Sequence, residues 1–179
     1  MRKLITTIAP QDAQWPASAA VTQLVMLTYF VIDNHVNLYP WNNPQSATAE
    51  LPSTLWGLIP FSLYSLAFAR RIRWGMLIGM VHSYVWLILQ IRQWWLPYLF
   101  GPTLLHGDVT WYYEHGYTET IKILPPIANH PIPDAQHLVL QFLSLLVVVT
   151  ATIAYFQTHR ARTGGHEQAL RSQSPGAAS

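Results

Sequence analysis

The stretch LVLQFLSLLVVVTATIAYF, which runs from Leu138 to Phe156, decides the fold of this chain. It carries no charged residue and, as a helix, is nearly as long as the hydrocarbon core of a bilayer is thick. Three further uncharged apolar stretches precede it, at 16–32, 51–69 and 74–91. Because hydrocarbon offers no water to unpaired backbone groups, each stretch must be a helix. We therefore predict an all-α integral membrane four-helix bundle.

The composition agrees with a membrane protein and excludes several kinds of chemistry. Of 179 residues, 51% are hydrophobic and only 10% are charged, whereas about a quarter of the residues of a soluble domain are charged. The chain contains no cysteine, so it has no disulfide, thiolate nucleophile or Cys-type zinc site of its own. The formal net charge is only +2, and we expect no nucleic-acid partner.

The apolar stretches divide the chain into one membrane domain and a tail. The membrane domain is predicted to cover residues 1–158 and the tail residues 159–179. The transmembrane helices are predicted at about 16–36, 51–69, 74–92 and 138–157, with outer loops at 37–50 and 93–137. The tail is polar and has no apolar period, so we predict that it is disordered. The first helix is predicted to be retained and not cleaved as a signal peptide, because the small residues Ala17 to Ala20 precede its apolar run.

The basic residues predict the orientation of the bundle. Eight of the ten Arg and Lys residues fall at one predicted side of the membrane, and only Arg92 and Lys122 fall at the other. The positive-inside rule then places the N- and C-termini in the cytoplasm and the two outer loops outside it. The simplest location for this topology is a bacterial inner (plasma) membrane.

The second outer loop, 93–137, is too long to lack structure of its own. Residues 94–105 are apolar but interrupted by proline and glycine, which favours an interfacial or re-entrant segment. Residues 108–124 place Val109, Tyr112 and Ile121 at roughly helical intervals, and Pro125 follows. We therefore predict a helix over 108–124 within a long structured extracytoplasmic loop.

Most of the candidate site residues lie in this second outer loop. His115 and Glu119 are four residues apart and share one face of the predicted helix, so both side chains reach one proton or one metal ion. Asp134 and His137 are three residues apart at the start of the fourth helix. Their alternative role is structural, because an acid is favoured in the first turn of a helix. The predicted catalytic residues are His115, Glu119, Asp134, His137, Asp33 and His35.

Histidine and carboxylate side chains are also ligands of divalent metals. The sequence predicts a metal site formed by His115, Glu119, His130 and His137. The spacing matches no specific metal motif, and metal-free acid–base chemistry is the open alternative. No other cofactor is indicated.

A short stretch of the loop carries a family resemblance. Gly107-Asp108-Val109, followed by Tyr112, Glu114 and His115, resembles part of the sterol-isomerase and emopamil-binding membrane family. The resemblance implies that a small helical bundle is able to carry out acid–base catalysis on a lipophilic ring system. It covers only this stretch, and it assigns no role to any residue of this chain.

Two classes of function fit these observations. The first is an enzyme that uses an extracytoplasmic His/Asp/Glu site on a lipophilic substrate from the bilayer, by isomerisation, cyclisation or oxidoreduction. The second is an accessory subunit or assembly factor of a membrane complex, whose outer loop contacts another membrane subunit. Transport is the third, weakened by the small size of the chain and the lack of internal repeats. In an enzyme the polar side chains converge on one cavity, whereas in an interface they spread over an exposed face.

Overall fold

The computed structural model describes residues 10–44, 47–101, 112, 114 and 116–172. This part of the chain is helical, with no strand longer than a single bridge. The helices are α1 (Pro10–His35), α2 (Ala47–Ala69), α3 (Arg73–Gln90), a π-helical turn (Ile91–Trp95), α4 (Leu96–Phe100) and α5 (Ala135–Ser172). The predicted all-α class is confirmed.

Within the described part of the chain, four segments are long and apolar enough to cross a membrane, as predicted. They are Gln14–His35, Glu50–Ala69, Arg73–Phe100 and Ala135–Arg160. α1 packs against α2 and α5, and α3 packs against both of these helices. The end of the bundle where α1 and α4 finish and where α2 and α5 begin is called the loop end below.

The third spanning segment is longer than the sequence suggested. Residues 94–100, predicted as part of an interfacial or re-entrant stretch, instead continue the helix through the π-helical turn and α4. Pro97, in the first turn of α4 directly after the π-helical turn, does not end it. The proline has no N–H for the carbonyl of Gln93, four residues earlier, and this carbonyl instead accepts from the Tyr112 hydroxyl at 2.6 Å. Gly101, with φ of 79°, ends the helix.

Close contacts and interhelical hydrogen bonds hold the bundle together. A Cβ atom added at Gly75 of α3 would lie 2.5 Å from the Cβ of Ala67 in α2, so only glycine allows these two helices to approach so closely. Thr22 Oγ1 and Thr150 Oγ1 are 2.8 Å apart across α1 and α5. Gln90 Nε2 donates to a hydroxyl of α5 at 2.9 Å.

The predicted helix over 108–124 is wrong for its second half. Gly116 has φ of 73°, and a turn at 116–118 follows. Such a left-handed glycine is a common helix stop. Lys122 lies in extended chain and forms an isolated antiparallel bridge with Asp134. Residues 108–111, 113 and 115 of the predicted helix lie outside the described residues.

α5 is also longer than predicted. The sequence placed its end at about 157 and a disordered tail over 159–179, but the helix continues to Ser172. Between 160 and 172 there are three arginines, two alanines and one each of glutamate, glutamine and leucine, and these residues favour a helix without any apolar period. Residues 173–179 lie outside the described part of the chain.

Candidate functional site

Asp134 and His137 form a hydrogen-bonded pair at the first turn of α5. Asp134 directly precedes the helix, and its Oδ1 accepts the backbone N–H of His137 at 3.1 Å. This is the bond that an N-cap residue makes. The same Oδ1 lies 2.5 Å from His137 Nδ1. Since a carboxylate accepts, Nδ1 carries the hydrogen, and Nε2 is the ring atom left for other chemistry.

The second oxygen of Asp134 is held as firmly as the first. Thr120 Oγ1 donates to Oδ2 at 2.8 Å and Gln136 Nε2 donates to it at 3.1 Å, and Lys122 Nζ lies 4.0 Å away. Burial alone would raise the pKa of Asp134, which is fully buried. The hydrogen bonds and charge of His137, together with the bond from Thr120, instead hold this pKa below its usual range. Asp134 is therefore an ionised carboxylate at neutral pH.

Backbone hydrogen bonds tie the outer loops to the start of α5. The amide of Ala135 donates to the carbonyl of Ile121 at 2.8 Å, and the amide of Ile121 donates to the carbonyl of Pro40 at 3.1 Å. Lys122 Nζ donates to Thr120 Oγ1 at 2.8 Å and to the carbonyl of Tyr117. Burial lowers the pKa of Lys122, and the charge of Asp134 opposes this shift. These bonds place Thr120 and Lys122 against Asp134.

Aromatic rings hold the imidazole of His137 in place. The Trp94 ring lies 4.0 Å from it, centroid to centroid, at 39°, and the Tyr117 ring lies 5.3 Å away at 80°. Trp94 also contacts Tyr112. Burial raises the pKa of Tyr112 to about 12 and raises that of Tyr117 as well. Both phenols are therefore neutral beside the imidazole at physiological pH.

His137 borders a small cleft of about 40 Å³ at the loop end. The described residues that line the cleft are Asp33, Asn34, Asn42, Asn43, Pro44, Glu50, Tyr117, Gln136 and His137. Asp33 is 8% exposed, and its Oδ1 has no hydrogen-bond partner among the described residues. The cleft thus combines an imidazole with two carboxylates, from Asp33 and Glu50.

Two of the predicted catalytic residues line this cleft, a third lies directly behind it, and two others lie elsewhere. Asp33 and His137 line the cleft, and Asp134 lies behind His137. His35, at the end of α1, makes a 3.0 Å hydrogen bond to Thr54 Oγ1. Glu119 is exposed, and its Oε2 accepts from the side chain of Asn43 at 3.3 Å.

The predicted metal ligands do not converge in the described part of the chain. His130 Nδ1 lies 2.8 Å from the carbonyl oxygen of Tyr98, and His130 borders a different cavity from the one beside His137. Within the described residues no group of three or more His, Cys, Asp or Glu side chains is placed to hold a metal ion. His115, the remaining predicted ligand and a predicted catalytic residue, lies outside the described residues.

Several side chains of the site were not among the predicted residues. Glu50 and Tyr117 line the cleft, and Thr120 and Gln136 bind Asp134. Glu50 lies in the first turn of α2, and an acid there has the same signal as Asp134 at the start of α5. Tyr117, Thr120 and Gln136 had no sequence signal that distinguished them from other residues.

Comparison with known proteins adds no assignment to this geometry. No protein-family model, curated protein or solved structure matches the chain. The fold defines a helical protein whose four long apolar helices are consistent with a multi-pass membrane protein.

Proposed function

We propose that this chain is a small membrane enzyme that moves protons on a lipophilic substrate, with His137 as the general acid–base. The supporting observation is the 2.5 Å contact between His137 Nδ1 and Asp134 Oδ1, beside a cleft that also holds Asp33 and Glu50. A buried carboxylate that fixes one imidazole nitrogen and leaves the other available is the arrangement that proton transfer by histidine requires.

The chemistry proceeds from the fixed tautomer. His137 Nε2 removes a proton from a carbon or hydroxyl of the substrate, and the charge of Asp134 balances the imidazolium that results. The imidazolium then delivers a proton from Nε2 at a second position of the substrate. Removal at one atom and delivery at another leaves the composition of the substrate unchanged. Isomerisation and cyclisation are therefore the reactions that these groups support best.

The position of the cleft favours a substrate from the bilayer. Asp33 lies near the end of the segment Gln14–His35, and Glu50 and His137 lie at the beginning of two others. The cleft is therefore expected at the depth of the lipid headgroups. Under the positive-inside rule, we propose that the site lies on the extracytoplasmic side of a bacterial inner membrane and that both termini lie in the cytoplasm.

A non-catalytic accessory subunit or assembly factor is the second candidate. It draws support from Glu119 and His130, which lie outside the cleft. In that case the polar outer loop contacts another membrane subunit, and the pair Asp134 and His137 stabilises the start of α5.

Solvent deuterium provides a test that works with an unidentified substrate. The purified protein in nanodiscs is incubated with lipid extract in deuterated water, and carbon-bound deuterium in the lipids is measured by mass spectrometry after chromatographic separation of isomers. We expect deuterium in at least one lipid with the wild type, and a loss of about 100-fold or more in rate with His137→Gln.

His159→Gln is the matched control. His159 lies near the end of the spanning segment Ala135–Arg160, and its Nε2 is 3.3 Å from an Arg73 nitrogen. This variant should label lipid as the wild type does. If lipid labelling is the same for wild type and His137→Gln at equal folded yield, His137 is not the acid–base and the second candidate is favoured.

A further inference from the structure

The cleft presents an excess of hydrogen-bond acceptors to a ligand. Two lining residues are carboxylates, and among the described lining residues there is no Lys or Arg. The three lining asparagines donate amide hydrogens to other protein groups. Asn34 Nδ2 donates to Thr54 Oγ1 at 2.9 Å, and Asn43 Nδ2 donates to Glu119 Oε2 at 3.3 Å. Asn42 Nδ2 donates to the backbone carbonyl oxygens of Asp33 and Val36 at 2.7 and 2.8 Å. A ligand rich in hydrogen-bond donors fits this lining.

Asp33 is the strongest single indication of such a ligand. The side chain borders the cleft and the residue is only 8% exposed. Its Oδ1 is buried and finds no hydrogen-bond donor among the described residues. Buried polar atoms are nearly always paired, because an unpaired one loses its bonds to water without replacement. A donor from a bound molecule would complete the hydrogen bonding of this atom.

Charge and depth narrow the class of molecule. Asp33 and Glu50 place two carboxylates around a cleft that is expected at the depth of the lipid headgroups. An ammonium group brings both N–H donors and the opposite charge, and bonds between an ionised donor and an ionised acceptor are stronger than neutral ones. An amphiphile with its amine at this depth keeps its apolar part in the bilayer.

We infer that the cleft binds the protonated amine of an amphiphile, with an N–H directed to Asp33 Oδ1 and with Glu50 as the second counter-charge. This inference rests on the proposed function, since it names the polar group of the lipophilic substrate. Within that proposal the ammonium group holds the molecule while His137 acts on another part of it.

Calorimetric titration of the full-length protein in phosphatidylcholine nanodiscs tests this inference. The probes are dodecylamine, dodecanol as its neutral equivalent and propylamine as its short equivalent, each corrected by titration of empty nanodiscs. The variants are Asp33→Asn and Glu50→Gln. Glu50 is half-buried in the first turn of α2, so Glu50→Gln keeps the test meaningful if Asp33→Asn fails to fold. Glu167→Gln is the matched control, because it also removes one carboxylate but lies at the other end of α5.

The expected result is that dodecylamine binds at least about tenfold more tightly than dodecanol and than propylamine. Asp33→Asn should weaken its binding by about tenfold or more and Glu50→Gln by a smaller factor, with Glu167→Gln unchanged. Equal binding of dodecanol would show that the cleft does not select charge, and equal binding of propylamine would exclude an amphiphile. Amine binding that neither cleft variant weakens would place the ligand elsewhere. Each of these three results overturns the inference.

The two proposals fail in different assays. If dodecylamine does not bind but lipid labelling depends on His137, the acid–base function stands and the amine ligand does not. If amine binding depends on Asp33 while His137→Gln labels lipid normally, the chain is a binding protein for cationic amphiphiles and the enzymatic proposal fails.

Discussion

The substitution Asp134→Asn removes one negative charge from a residue that solvent does not reach. The amide keeps one oxygen, which still accepts from the backbone and the imidazole of His137. Its new NH₂ group replaces Oδ2 and faces Thr120 and Gln136. The Thr120 hydroxyl is able to rotate, and Gln136 is able to turn its Oε1, which is buried without a partner among the described residues, toward the new donor. Lys122 Nζ, 4.0 Å from Oδ2, has no such adjustment and loses its counter-charge.

The expected magnitude follows from these contacts. Four hydrogen bonds to a charged acceptor become bonds to a neutral one, and each such change weakens a bond by about 1 kcal/mol. Rotation of Gln136 recovers part of this loss, and Lys122 is only partly buried. We therefore expect Asp134→Asn to lower the free energy of unfolding by about 3 kcal/mol, the lower end of the range for breaking a buried charge pair. Lys122→Met should cost only about 1 kcal/mol.

Unfolding by dodecyl sulfate in mixed micelles, followed by tryptophan fluorescence and circular dichroism, measures these differences. Because the pKa of Asp134 is lowered in the folded protein, its stabilisation is complete above the ordinary carboxyl pKa of about 3.9. It disappears as the pH falls through the lower folded-state value. The difference in the free energy of unfolding between wild type and Asp134→Asn should therefore decrease below about pH 4. Glu119→Gln, an exposed carboxylate, should change stability by no more than about 0.5 kcal/mol. A free-energy difference under about 1 kcal/mol at pH 7, or one that does not decrease at acid pH, would refute the stabilising role of ionised Asp134.

Three further predictions concern the loop, the helix packing and the orientation. Gly116→Ala should destabilise the protein by about 1–2 kcal/mol in the same unfolding assay, because φ is 73° there; an unchanged midpoint would contradict the left-handed turn. Gly75→Ala should cost about 1–3 kcal/mol and lower the melting temperature, because the new Cβ would lie 2.5 Å from Ala67 Cβ; wild-type stability would contradict the close approach of α2 and α3. The chain has no cysteine, so single cysteines report topology cleanly: Tyr39→Cys should react with an impermeant maleimide on intact cells and Thr163→Cys only after lysis, and the reverse pattern would invert the orientation.

The sequence predicted the helices because hydrocarbon leaves an apolar segment no alternative. All four predicted stretches lie within segments of spanning length. The predicted ends of the helices were less accurate, because helix ends depend on local backbone chemistry and not on hydropathy. The π-helical turn and α4 extend the third segment to Phe100 across a proline, and the left-handed Gly116 begins a turn where the spacing of apolar residues predicted a helix as far as 124. Neither outcome is encoded in the period of the apolar residues.

The site was predictable where its residues are neighbours in sequence. Asp134 and His137 are three residues apart, and this spacing at a helix start places them in contact. Glu50 and Tyr117 were not predicted because they are distant from His137 in sequence. Glu50 lies in the first turn of α2, and Tyr117 lies in the second outer loop, which backbone hydrogen bonds attach to the start of α5. Pairings at such sequence distance leave no periodic signal in a single chain.

The two roles weighed for Asp134, helix cap and partner of His137, prove compatible, but capping alone does not account for what surrounds it. A cap needs one oxygen and one backbone N–H, and an exposed Ser, Asn or Asp provides that bond without the desolvation of a buried charge. Here the second oxygen is met by a hydroxyl, an amide and an ammonium group that the outer loop and α5 supply. These partners keep the carboxylate ionised, and therefore keep the hydrogen of the imidazole on Nδ1. A chain that required only a helix start would have no use for a fixed tautomer, whereas proton transfer at Nε2 depends on it.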